Sequence, residues 1–155
     1  MFATLATFAL SSAALVAAPN AQQINAIEAR LWWEDSGTLS PNILDKSGRF
    51  AGWNTIIGEG PSGGAARDLV VAVAIGLTKS AEVGTDQVKP LQIVVTTKDG
   101  KPVAKRTVSH MLLPYRGSVW TALYIFEVGC AGSLLVTARM GDQVRKARLD
   151  MDCGE

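Results

Sequence analysis

The alternation of apolar and polar residues is clearest at the end of the chain. Leu134, Val136, Ala138 and Met140 fall on every second position, and Ala147, Leu149 and Met151 repeat the spacing after Gly141-Asp142. A period of two is that of a half-buried strand. Gly followed by Asp suits a two-residue type II′ turn, whose first central position needs a positive φ. The segment therefore predicts a hairpin with Met140 opposite Gln143. Its core face carries the apolar set, and its outer face carries Ser133, Thr137, Arg139, Lys146, Arg148, Asp150 and Asp152.

The same reading upstream predicts a series of strands. In Ala26 to Trp33, Ile27, Ala29, Leu31 and Trp33 alternate with Glu28, Arg30 and Trp32. Asp68 to Thr78 is apolar on both faces and reads as a central strand. Pro90 to Thr97 and Val103 to Met111 flank the hairpin signal Lys98-Asp99-Gly100-Lys101, and Ser118 to Val128 holds Trp120, Tyr124 and Phe126. Trp53 to Ile57 is a short strand candidate. Residues 34–67 otherwise carry the turn signals Asp35-Ser36-Gly37, Ser40-Pro41-Asn42 and Lys46-Ser47-Gly48 and the glycine-rich GEGPSGG, so they read as an irregular insertion. Seven to eight strands with frequent turns, and no helical period after the N-terminus, predict an all-β fold. The expected architecture is an antiparallel two-sheet sandwich, immunoglobulin-like or a related Greek key.

The N-terminus is different. Residues 1–21 carry no charged side chain, and Leu5 to Ala18 is an apolar run too short to span a bilayer, which needs about 20 residues. Small residues follow. The pattern is that of a signal helix cleaved after Ala21, leaving a single domain over 22–155 and a periplasmic or secreted address. No later stretch predicts a transmembrane anchor.

Export changes the reading of the cysteines. Cys130 and Cys153 are the only two in the chain, and outside the cytoplasm such a pair reads as a disulfide. Counting outward from the Gly141-Asp142 turn places them opposite each other on the core side of the hairpin. Directly opposed residues with Cα atoms about 5.5 Å apart fit disulfide geometry. The closed loop would contribute about 3 kcal/mol by chain entropy.

Charge narrows the function classes. With 15 basic and 14 acidic residues the formal net charge is +1, so no global field favours nucleic acid or an anionic membrane. His110 is the single histidine. No spacing joins it to Ser109 or Ser118 as a nucleophile and base. One histidine and two bridged cysteines predict no zinc site, the acidic residues form no calcium-loop motif, and GEGPSGG lacks the Gly-Lys-Ser/Thr ending of a phosphate loop. No catalytic residue, metal or cofactor is predicted.

The better leads are surfaces. Trp32 and Trp33 are adjacent, so on a strand they face opposite ways. Trp33 reads as core and Trp32 as packed beneath the insertion. A possible ligand surface comprises Trp32 and Trp53 with Glu34, Asp35 and Glu59. A possible basic patch on the last hairpin comprises Arg139, Arg145, Lys146 and Arg148. These features predict a binding or interaction module for a protein or glycan partner in the envelope. An envelope hydrolase using the carboxylates of Glu34, Asp35 or Glu59, and an inhibitor of another exported enzyme, are the alternatives. Oligomeric state is not legible.

The stretches IEARLWWEDSGTLSPNI and WNTIIGEG and the ending CAGSLLVTARMG…ARLDMDCGE resemble small exported β-domain proteins of unknown function from alphaproteobacteria. The resemblance spans most of the chain after the leader. It implies a periplasmic address and no particular activity.

Overall fold

The computed structural model describes residues 22–53, 65–78, 85–86, 89–128 and 130–152, without the side chains of 52–53, 85–86 and 152. The expected leader therefore lies outside the described residues. So do Glu59, Cys153 and the side chain of Trp53. The described residues contain strands and turns and no helix, hence none long and apolar enough to cross a membrane.

In chain order the strands are β1 (Gln22–Trp33), β2 (Thr38–Leu39), β3 (Arg49–Trp53), β4 (Asp68–Leu77), β5 (Thr85–Asp86), β6 (Leu91–Thr97), β7 (Pro102–Val108), β8 (Leu112–Leu113), β9 (Ser118–Ile125), β10 (Gly132–Met140) and β11 (Gln143–Asp152). Three are two-residue bridges, which leaves eight strands of five residues or more among the described residues. Sheet I has the order β2-β1-β4-β9 and sheet II the order β3-β11-β10-β6-β7. All pairings are antiparallel except β3 with β11. Three neighbours β1-β4-β9 facing β11-β10-β6-β7, with non-consecutive strands paired in both sheets, form an immunoglobulin-type Greek key. The strands β1, β4, β6, β7, β9, β10 and β11 take the places of A, B, C, C′, E, F and G.

Sheet formation follows the alternation. Ala29, Leu31 and Trp33 from β1, Leu69, Val71, Val73 and Ile75 from β4, and Leu123 and Ile125 from β9 point inward. They meet Leu91, Ile93 and Val95 from β6, Leu134, Val136, Ala138 and Met140 from β10, and Ala147, Leu149 and Met151 from β11. Fully burying each large aliphatic contributes roughly 1.5–3 kcal/mol. The β10–β11 ladder runs in unbroken register from Met140↔Gln143 to Gly132↔Met151. Gly141 has φ 58°, and Asp142 is not among the positive-φ residues. This sign sequence is that of the expected type II′ turn.

Two local readings change. Within the stretch expected to be irregular, a strand lies at Arg49–Trp53, and it is set by pairing rather than by pattern; of the strand expected at Trp53–Ile57, residues 54–57 lie outside the described residues. The Arg148 N–H donates to the Gly48 carbonyl at 2.9 Å, and the parallel ladder runs on from Arg49. Within the expected irregular stretch, β2 folds back on Trp32 and Trp33. Asn42 and Ser40 then act as surrogate backbone. Asn42 Oδ1 accepts the Ala29 N–H at 3.0 Å, and Ser40 Oγ accepts the Leu31 N–H at 2.9 Å.

Candidate functional site

The outward face of sheet I is unusual for a solvated sheet. Its central strand β4 presents Asp68, then Val70, Ala72 and Ala74, the last only 1% exposed. Each of these small residues has a larger neighbour on at least one side. Register places Ala74 beside Trp120, Ala72 between Glu28 and Ala122, and Val70 between Arg30 and Tyr124. Trp32 lies opposite Asp68. The result is a shallow trough floored by small residues, with β9 aromatics as one wall. The other wall holds the Glu28–Arg30 ion pair, at 2.8 Å, and Trp32.

The β9 wall is exposed: Trp120 at 48%, Tyr124 at 37% and Phe126, just past the strand, at 74%. Tyr124 and Phe126 stack at a tilt, with ring centroids 4.6 Å apart, a favoured aromatic geometry. Asp68 organises this end of the sheet. Its Oδ2 accepts the Tyr124 hydroxyl at 2.5 Å and its Oδ1 accepts the Glu127 N–H at 2.8 Å. The second bond holds a turn that bends sharply, because Glu127 sits at φ 48°, a left-handed conformation few non-glycine residues adopt. The Val128 N–H then donates to the Arg67 carbonyl at 2.7 Å. Phe126 is thus presented by a turn tied at both ends to the start of β4.

The electrostatics agree with the geometry. The hydrogen bond to the Asp68 carboxylate favours the protonated phenol of Tyr124 and pushes its pKa up to about 12. Desolvation and the negative charges of Asp68 and Glu34 act in the same direction. Tyr124 is therefore a fixed neutral donor with an oriented ring throughout the physiological range.

Of the residues singled out from sequence, Trp32 and Glu34 belong to this end of sheet I. Trp33 points into the core at 6% exposure and Trp32 outward, half-buried. Asp35 is exposed in the turn after β1. Trp53 and Glu59 cannot be placed, since the side chain of one and the whole of the other lie outside the described residues. The basic residues are exposed but divided. Arg139, Lys146 and Arg148 share the outer face of sheet II, where Arg148 pairs with Asp150 at 2.9 Å. Arg145 lies opposite Ala138, on the inward side of the strand, at the rim of the sandwich. The Ser133 hydroxyl and then Arg148 hold the Asp150 carboxyl below its usual range. Among the described residues no three His, Cys, Asp or Glu side chains are grouped to hold a metal ion.

Sequence reasoning missed Trp120, Tyr124, Phe126 and Asp68 as a surface. The signal was present. Val119, Thr121, Leu123 and Ile125 already fill one face of β9, so aromatics at 120, 124 and 126 must occupy the other.

No protein-family model matches the chain, and no curated protein sequence is similar to it. Among solved structures it is similar to an immunoglobulin-like protein from Pseudomonas aeruginosa at 15% identity, over 86% of this chain and 98% of that one, with a TM-score of 0.39. The fold assignment rests on strand order and register, not on that likeness.

Proposed function

We propose that the chain is exported through a leader ending near Ala21 and works in the periplasm or outside the cell as a non-catalytic binding module for a protein or glycan partner. The aromatic end of sheet I is its contact surface. One observation carries the reading: Tyr124 and Phe126 form an exposed aromatic pair whose position is locked by Asp68, beside a trough of small residues. Large aromatics held rigidly at a surface bury contact area at little entropic cost, which is the property of binding hot spots. The periplasmic address is the one implied by the resemblance to exported alphaproteobacterial β-domain proteins.

A Cys130–Cys153 disulfide is part of the reading. The ladder supports it, because Gly132↔Met151 is in register two residues short of the cysteines on each strand.

Native and denaturing mass spectrometry of the protein from its own host's envelope tests both elements. The expected species starts near Gln22, is two hydrogens lighter than the dithiol and carries a bound partner that a Trp120→Ala/Phe126→Ala variant loses. A full-length species with two thiols would refute export and the bridge. An unliganded species, or a partner retained by the variant, would refute the contact surface.

A further inference from the structure

A second surface lies on the opposite edge of the sandwich, away from β9, where β1 of sheet I and β11 of sheet II run side by side. Most of the backbone along this edge is already satisfied. On β1 the Gln143 side chain acts as a surrogate peptide: its Oε1 accepts the Ile24 N–H at 3.0 Å and its Nε2 donates to the Gln22 carbonyl at 2.5 Å. Further along, Asn42 and Ser40 serve Ala29 and Leu31. On β11, β3 covers Arg148 to Asp152. Between these covered stretches is a cleft of about 410 Å³, lined by Ala26 and Ile27 of β1, the Lys46–Gly48 turn and Val144–Ala147 of β11.

Strand parity says what backbone the cleft exposes. The Arg148 N–H points to this edge, bonding Gly48, so the N–H and C=O groups of Lys146 and Val144 point the same way. The β3 ladder does not continue to them, because the Gly48 N–H turns back to the Asp45 carbonyl at 3.0 Å. Among the described residues no strand pairs with this side of Val144–Ala147. Val144 is 40% exposed. The cleft floor, Ala26 and Ile27, is half-buried and apolar.

The charge is one-sided. Lys46, Arg145 and Lys146 ring the cleft, and among the described residues no carboxylate pairs with any of them. Asp45 is the one acid in the lining, and its Oδ1 is taken by the Ser47 N–H, the Ser47 hydroxyl and the Arg49 N–H.

We propose that this cleft takes an extended acidic segment of a partner protein, which adds to the open edge of β11 as a short strand at Val144–Lys146. Main-chain hydrogen bonds to the N–H and C=O of Val144 and to the N–H of Lys146 supply the affinity, the Lys146 carbonyl being packed against Gly48. Alternate side chains divide between the inward side, where the apolar floor at Ala26 and Ile27 lies and Arg145 points, and the outward side, where Lys146 points. Open edges are ordinarily blunted by lysine. Here the basic residues sit around a concave slot rather than along a flat edge, so they also select an anionic strand. This surface is separate from the aromatic face, and neither depends on the other.

The test is selection from a phage-displayed random heptamer library on the purified protein, followed by amide hydrogen exchange with the selected peptides. The expected result is enrichment of heptamers with acidic residues at alternate positions, with at least tenfold slower exchange at the Val144 and Lys146 amides on binding. Val144→Pro removes an N–H that is not part of the β10 ladder and is tolerated at an edge. It should abolish binding while the far-ultraviolet spectrum is unchanged. Arg145→Glu/Lys146→Glu should weaken binding at least tenfold, and N-methylation of the peptide backbone should eliminate it. Four outcomes would overturn the proposal: no enrichment, enriched peptides without acidic residues, protection at another surface, or equal displacement by polyphosphate of N-methylated and unmodified peptide. The last would identify a plain anion-binding patch.

Discussion

Replacing Asp68 removes the one group that ties the aromatic surface together, and the consequences can be worked out atom by atom. Asp68→Ala releases the Tyr124 hydroxyl and the Glu127 N–H, both now bonded to its carboxylate. Both partners are solvent-exposed, so water screens these bonds and competes for them, and their loss should lower Tm measurably without unfolding the domain. Asp68→Asn keeps an acceptor but loses the charge. The Tyr124 phenol should then titrate nearer its ordinary 10.0 than the present value of about 12. The folded pKa is raised, so the stabilisation is fully present below pH 10 and is lost as pH rises through about 12. Ultraviolet difference titration, with a Tyr124→Phe variant subtracted, isolates this phenol. An unchanged Tyr124 titration in Asp68→Asn, or an unchanged Tm in Asp68→Ala, would refute the reasoning.

Three further expectations concern the framework. A Cβ on Gly76 would lie 2.5 Å from Asn25 Nδ2 and 2.7 Å from the Gly117 carbonyl, so Gly76→Ala should cost about 1–3 kcal/mol, read by urea unfolding. Leu149 is fully buried between the sheets, and Leu149→Ala should cost about 2–5 kcal/mol; a smaller loss in the same assay would place it outside the core. The Ser47 hydroxyl and the Arg49 N–H lower the Asp45 pKa, and the Ser133 hydroxyl and Arg148 lower that of Asp150. Their stabilisation is present above the ordinary value of 3.8 and is lost as pH falls below it. Asp45→Asn and Asp150→Asn should each flatten the acid limb of a stability–pH curve, with no change near neutrality in its shape.

The sandwich was legible because its signals are local and repeated. The β10–β11 register, the type II′ turn and the inward set Leu134 to Met151 follow from a two-residue period and one Gly-Asp pair. The apolar run of β4 marked a central strand, and it lies between β1 and β9. What was hidden depends on pairing between distant segments. Nothing in Arg49–Trp53 alternates strongly, and only the edge of β11 makes it a strand. Asp68 reads as the polar start of a strand until Tyr124 and Glu127, far along the chain, are brought to it. The basic cluster looked continuous because Arg145, Lys146 and Arg148 are close in sequence, whereas strand alternation sends Arg145 to the other side.

The most direct test of the central claim is photo-cross-linking in the native envelope from a benzophenone amino acid at position 126, where Phe126 is 74% exposed. A control places the same group at position 103, where Val103 lies on β7. A contact surface at the aromatic end of sheet I requires one reproducible adduct from position 126, lost in an Asp68→Ala background and absent from position 103. No adduct at 126, or the same adduct from both positions, would contradict it.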